Sequence, residues 1–266
     1  MITLNGNVVE IGSFPDGSIL MKQHKTYTPT AYIEWLYEND REFLALIYLV
    51  NHLRRLKYPT IDLYMPYIPN ARQDRVKSSE DVFTLKYFAE ILNSLNLNTV
   101  TVLDPHSTVS EALINNLKVI APKTYLDEAI LRMKLFEDVD TDHMIVFYPD
   151  AGAAKRYADL VERKYAYAIK NRDWETGKIL GLEVIDNGLD LRGKDVLIID
   201  DICSRGGTFY YSAMKLKELG VRDIYLYVSH CENTVLEGEL LKGDLIKKLY
   251  TTNSIFTKDH EKIEVL

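Results

Sequence analysis

Cysteine is scarce in this 266-residue chain, which carries only Cys203 and Cys231. Two thiols give neither a disulfide framework nor a metal-binding spacing, which excludes small secreted disulfide scaffolds and zinc modules. Long apolar runs are also missing, so nothing in the sequence reaches bilayer-spanning length, and no signal-peptide pattern opens it. Cytoplasmic residence is the expectation. Positive charge is in deficit: 32 Lys and Arg stand against 39 Asp and Glu, a formal net charge of −7. Nonspecific attraction to nucleic acid or to an anionic membrane is therefore disfavoured. Any site for a phosphorylated ligand must be a local concentration of Lys, Arg and backbone N–H groups. No linker rich in Pro, Gly or Ser divides the chain, and the eighteen tyrosines form no stripe. What remains, 47% hydrophobic and 27% charged, has the balance of a soluble globular protein long enough for two compact domains.

One stretch organises the reading. Val196, Leu197, Ile198 and Ile199 predict a strand buried on both faces, as in a parallel sheet. Asp200 and Asp201 follow where that strand is expected to end, and then come Ser204, Arg205, Gly206, Gly207 and Thr208. A helix is expected over 210–219, with Gly220 closing it. Glycines ahead of a helix let backbone N–H groups converge on an anion, and the helix end adds partial positive charge. Aspartates beside such a site repel phosphate, so they suit hydroxyls or a metal. A sugar phosphate offers both kinds of group. The plainer reading is a strand-turn-helix with Asp as a cap.

The remaining chain alternates strand and helix. Helices are predicted over 40–56, with Asp40 as cap, and over 80–95, 127–136 and from about 151 to 164. Strands are predicted over 61–65, 99–103, 143–148, 165–169, 178–184, 222–228, 244–252 and 262–266. Polar clusters follow these strands: Arg72-Gln73-Asp74-Arg75, Asp104-Pro105-His106-Ser107, Asp150-Ala151-Gly152 with Lys155-Arg156, and Lys170-Asn171-Arg172. Arg-Gln-Asp-Arg reads either as a solvated loop or as a nucleotide site, with Gln for a base edge and Arg for phosphates. Ligands of a parallel α/β sheet bind outside the carboxyl ends of its strands. A seam at 118–123, containing Pro122, predicts domains 1–121 and 122–266. The smaller clue Phe14-Pro15-Asp16-Gly17-Ser18 is a turn. Cys203 reads as a small buried thiol.

Taken together, these clusters resemble, in order, the motifs of the ribose-phosphate pyrophosphokinases, or phosphoribosyl pyrophosphate synthetases. The matching segments are Phe14-Pro15-Asp16-Gly17, Pro66-Tyr67 with Arg72-Gln73-Asp74, Asp104-Pro105-His106-Ser107, Pro149-Asp150-Ala151-Gly152, Lys170-Asn171-Arg172 and the 200–208 loop. The resemblance implies two similar phosphoribosyltransferase-like α/β domains with parallel sheets flanked by helices. It implies transfer of the diphosphoryl group of ATP to the 1-hydroxyl of ribose 5-phosphate. Phe14, Asp16, Arg72, Gln73 and Asp74 would then contact ATP, with the Phe14 loop reaching adenine in a neighbouring subunit of a dimer or hexamer. His106 and Asp150 would position Mg²⁺, Lys170 and Arg172 would stabilise the transferring group, Asp200 and Asp201 would take the ribose hydroxyls, and 204–208 the 5-phosphate. A phosphoribosyltransferase or a silent regulatory relative are the competing readings.

The chain departs from the family pattern at several positions. Ser18 stands where the family has Glu, the family's Gly-Phe-Phe is missing from 110–117, and Ala153 replaces a glycine. A leading strand and helix are expected to be absent ahead of Phe14. In the loop, Ser204 and Arg205 replace a second acidic residue and its Thr. Exchanging a carboxylate for a guanidinium makes the pocket more positive, which suits a 5-phosphate bearing a further phosphate, such as ADP-ribose in a salvage route to NAD. From the transferring-group assignment, Lys170→Ala is expected to lower kcat by about 10²–10³ with KM changed far less. Steady-state kinetics with ATP would check this, and near-wild-type kcat would remove Lys170 from that role.

Overall fold

The computed structural model describes residues 1–23, 28–172 and 179–266, with the backbone alone for 170–172 and 179–181. These residues form two compact units, Met1–Ala121 and Pro122–Leu266.

In the first unit, β1 (Ile2–Leu4) pairs antiparallel with β2 (Asn7–Val8) and, on its other side, with β5 (Thr30–Trp35). A separate hairpin, β3 (Glu10–Ser13) and β4 (Ile19–Lys22), carries the Phe14 turn at its tip. From β5 onward the sheet is parallel: β6 (Thr60–Tyr64), β7 (Thr99–Leu103) and β8 (Leu117–Ile120) add in sequence order. Helices α1 (Asp40–Arg55), α2 (Thr84–Ser94) and the short α3 (Val109–Leu113) make the crossovers. Ala31, Ile33 and Trp35 on β5 are fully buried and alternate with Tyr32 and Glu34, the period-2 pattern of a strand with one face on a core. They meet Leu46, Leu49 and Leu53 of α1 and Phe88 of α2 in one cluster. Phe43 and Phe88 sit 4.6 Å apart, which ties the two helices together.

The second unit builds a seven-stranded sheet. Its helices α4 (Lys123–Phe136) and α5 (Ala151–Val161) flank β9 (Ile145–Tyr148). Next come β10 (Tyr165–Arg172), β11 (Ile179–Ile185), β12 (Val196–Cys203), α6 (Gly207–Glu218), β13 (Ile224–Cys231), β14 (Lys248–Thr251) and β15 (Ile263–Val265). The spatial order is β11-β10-β9-β12-β13-β14-β15, parallel except for β11 at the edge. Both faces are covered. Val196 and Ile198 join the cluster that contains Phe209, Ala213 and Leu216 of α6. Leu197 and Ile199 join the one that contains Met133 of α4 and Tyr157 of α5. A strand sandwiched between helical layers has no polar face, which is why its sequence reads as a continuous apolar run.

Several expectations shift. A leading strand is present, as β1, whereas no helix precedes Phe14. The strand of the organising stretch continues to Cys203, so Asp200 and Asp201 lie inside it. The helix after it starts at Gly207, three residues early, because the turn occupies only Ser204, Arg205 and Gly206. Asn39, in extended backbone, precedes α1, so Asp40 is its first residue and not its cap. Helix α2 begins at Thr84 and not at 80. Strands β5 and β8 were not expected, and β8 runs into the seam region. Among the described residues no helix is long and apolar enough to cross a membrane. Ile198 is fully buried at the centre of the second sheet. Ile198→Ala is expected to cost about 2–5 kcal/mol, read from the denaturant midpoint of the unfolding transition.

Candidate active site

Strand order decides where polar residues can gather in the second unit. The chain passes from β9 to β10 on one side and returns to β12 on the other, so the sheet reverses its direction of winding between β9 and β12. Loops leaving neighbouring strands part at such a reversal and open a crevice. Asp150 follows β9, and Asp200 and Asp201 lie in the last half of β12, so three carboxylates meet there.

Each carboxylate is handled differently. Asp150 caps α5, its Oδ1 accepting the Ala153 N–H at 3.0 Å. Asp201 is buried, accepts the Ile202 N–H at 2.7 Å, and receives Arg156 Nη1 from α5 at 2.8 Å. It shares the alternation of Leu197 and Ile199, whose face α5 covers, and that parity brings it to Arg156. Asp200 Oδ1 accepts the Asp201 N–H at 3.0 Å. Burial first, then the charges of Asp201 and Asp150, push its carboxyl well above the usual range. A carboxyl so held can both donate to and accept from sugar hydroxyls.

The loop that follows is shaped by two close approaches. Gly206 has φ +76°, a left-handed conformation, and a β-carbon on it would lie 2.8 Å from Leu240. Gly207 then opens α6, whose first backbone N–H groups lack helical acceptors. Ser204 Oγ is buried and has no hydrogen-bond partner among the described residues. The Arg205 side chain is exposed and donates from Nη2 to Glu237 Oε2 at 3.0 Å. Thr208 is half-buried in the first turn. An anion at this helix end would meet N–H groups and hydroxyls with a guanidinium nearby.

In the first unit the loop after β6 and the loop after β7 are tied together. Asp74 is buried, its carboxylate taking Arg75 Nε at 2.7 Å and Ser107 Oγ at 2.6 Å. Hydrogen bonds from Arg75, then from Ser107, with the Arg75 and His106 charges, lower its pKa to about 2. Asp74 thus braces Arg75 of one loop against Ser107 of the next, with the exposed His106 near enough for its charge to act on the Asp74 carboxylate. Gln73 Oε1 accepts from Thr84 Oγ1 at 2.9 Å. The Phe14 turn is ordered by its own polar groups: Asp16 Oδ1 accepts the Ser18 N–H at 2.9 Å and Ser18 Oγ at 2.7 Å. Arg41 of α1 fixes the hairpin through Gly12 O and Ser13 Oγ, both at 2.6 Å. Phe14 itself is half exposed.

No protein-family model matches the chain. Curated relatives do. A ribose-phosphate pyrophosphokinase of Sulfurisphaera tokodaii is 28% identical over 265 residues, covering 97% of this chain and 88% of the relative. That of Pyrococcus abyssi is 29% identical over 264 residues with the same coverages, and that of Bacillus subtilis 29% over 229 residues, 85% and 69%. Along nearly its whole length the chain is similar to curated ribose-phosphate pyrophosphokinases. The fold agrees: the phosphoribosylpyrophosphate synthetase of Mycobacterium smegmatis superposes with a TM-score of 0.78, at 18% identity, over 97% of this chain and 85% of that one.

The structure brings Asp150, Asp200, Asp201 and the 204–208 loop together in one unit, and Arg72, Gln73, Asp74 and His106 together in the other. Lys170 and Arg172 lie on β10, next to β9, and their side chains are outside the described residues. The pairing register shifts between Asn171 and Arg172, so a spacing of two no longer fixes a common face for Lys170 and Arg172. Arg156, Ser107, Glu237 and Leu240 were not foreseen as site residues. Arg156 and Ser107 lay in motifs named above, while Glu237 and Leu240 contact the site only through the fold. Among the described residues no three of His, Cys, Asp and Glu are grouped to hold a metal ion. Mg²⁺ takes few protein ligands and fills its shell with water and phosphate oxygens, so a single carboxylate such as Asp150 fits it. A cavity of about 650 Å³, lined by His143, Arg163 and Lys194 among others, opens at the amino-terminal ends of β9 and β12, away from this cluster. Cys203 and Cys231 are buried thiols facing each other across β12 and β13.

The Asp74 brace has a pH signature. Its folded pKa lies below the ordinary 3.8, so its stabilisation is complete above that value and is lost as pH falls towards 2. Asp74→Asn is expected to cost about 1–2 kcal/mol at pH 7 and to flatten the fall of Tm between pH 5 and pH 2. An unaltered acid limb in the variant would show that the carboxylate is not the brace.

Proposed function

We propose that the chain is an ATP-dependent diphosphotransferase that converts ribose 5-phosphate and ATP into phosphoribosyl pyrophosphate and AMP. The observation that carries this is the convergence of Asp150, Asp200 and Asp201 at the reversal of the sheet, directly ahead of a glycine-opened helix end. Carboxylates for hydroxyls beside N–H groups for phosphate is the complement of a ribose 5-phosphate. The chain's relatives along nearly its whole length bear the name of that activity.

In the proposed reaction the sugar's 1-hydroxyl oxygen attacks the β-phosphorus of ATP. The bond from β-phosphorus to the oxygen shared with the α-phosphate breaks, AMP leaves with that electron pair, and the hydroxyl proton is lost. Such a transfer depends on in-line positioning and on cancelling charge. Asp200 and Asp201 orient the sugar through its other hydroxyls, and Ser204, Gly206, Gly207 and Thr208 hold its 5-phosphate. Arg72, Gln73, Phe14 and Asp16 bind ATP, with Asp74 positioning the Arg72 loop against His106. Lys170 and Arg172 offset charge on the moving group. Mg²⁺, assigned to His106 and Asp150, would neutralise phosphate charge when bound. A Phe14 turn that serves a neighbouring subunit's adenine makes the enzyme a homo-oligomer.

A second reading keeps the chemistry and changes the acceptor to a ribose whose 5-phosphate is substituted, such as ADP-ribose. The exposed Arg205 guanidinium at the loop supports it, since a second phosphate would have a cation to meet. A phosphoribosyltransferase would release no AMP. Incubation with ATP, Mg²⁺ and each acceptor, followed by mass analysis, is expected to give AMP in equal amount with a sugar two phosphates heavier. Absence of AMP with both acceptors would refute the assignment, and turnover of ADP-ribose alone would select the second reading.

A further inference from the structure

We propose that Glu237 determines acceptor specificity by holding Arg205 in a charge pair that only an acceptor with negative charge beyond its 5-phosphate displaces. This rests on the acceptor site assigned above and goes further, because Glu237 belongs to no part of that assignment. The pair joins the phosphate loop to the segment after β13. That segment is a 3-10 turn, Asn233–Glu237, followed by Gly238.

The turn is not a passing surface contact. The Glu232 N–H donates to Cys203 O at 2.8 Å, and the Gly238 N–H donates to Val235 O at 3.1 Å. Val235 and Leu240 are fully buried on either side of Glu237. At Gly238 the backbone passes so near the loop that a β-carbon there would overlap the Arg205 carbonyl. Leu240 likewise fills the space above Gly206. The backbone carrying Glu237 is therefore pinned against the backbone carrying Arg205, while both side chains stay in solvent, 73% exposed for Arg205 and 58% for Glu237.

A fixed approach combined with exposed charges has a definite consequence. The geometry makes the pair form, and solvent screening keeps it weak, within the range of surface ion pairs. A 5-phosphate seated on the N–H groups of α6 has its charge met by the helix end, and little remains to draw Arg205 from Glu237. A second phosphate, attached to the first, presents a bidentate partner that a guanidinium prefers to a single carboxylate oxygen. Glu237 thus sets the threshold at which Arg205 joins the ligand.

The test is calorimetric binding of ribose 5-phosphate and of ADP-ribose to the full chain without ATP, with AMP production measured alongside. Glu237→Gln leaves Arg205 unpaired and is expected to tighten ADP-ribose about two- to fivefold more than ribose 5-phosphate. Glu237→Asp is expected to restore part of the wild-type ratio. With Arg205→Ala present as well, Glu237→Gln is expected to leave the ratio of the two affinities where Arg205→Ala alone puts it. Equal changes for both compounds, or a ratio that still shifts without Arg205, would overturn the proposal. Binding of neither compound would overturn it together with the acceptor site. Binding that follows the expected ratio without AMP would sink only the assigned reaction.

Discussion

Carboxylates gathered just after β9 and in the last half of β12 repel one another, the charges of Asp201 and Asp150 both acting on Asp200, and the second unit is arranged to bear that repulsion. The devices are different for each group. A helix cap engages Asp150, a guanidinium from the covering helix α5 engages Asp201, and Asp200 is left to take up a proton more readily than a free aspartate. Alternation along β12 makes the split possible, because two adjacent residues of a strand face opposite layers and find different partners. The cost of the cluster falls on the unliganded protein.

The loops that carry the other polar groups are braced by hydrogen bonds among their own side chains. Asp74 joins the loops after β6 and β7 by accepting from Arg75 and Ser107, and Ser18 orders the Phe14 turn through Asp16. Glycine matters at two places, Gly206 for its left-handed backbone and Gly238 for its close passage by Arg205. In each case backbone position is fixed by buried or hydrogen-bonded neighbours.

Much of the fold was legible from apolar patterning. Residues 196–199 announced a doubly covered strand, and 99–103 matched β7 to the residue, because alternating or continuous apolar runs follow directly from how many faces are buried. Strand β5 was overlooked although Ala31, Ile33 and Trp35 alternate cleanly with polar neighbours. Element ends were less legible. Asp200 and Asp201 looked like a strand end because charge usually marks one, and only pairing with β13 as far as Cys231 shows that the strand continues.

By itself the sequence determined the chemistry available: which carboxylates, hydroxyls, guanidiniums and glycines occur, and in what order along alternating strands and helices. That order sufficed for the resemblance that its relatives confirm. Only the tertiary structure decided which of those groups meet. The Arg156–Asp201 partnership, the Asp74 brace and the Arg205–Glu237 pair join residues far apart in the chain or on different elements. No local spacing encodes such meetings. They follow from strand order and from the packing of one buried layer on another.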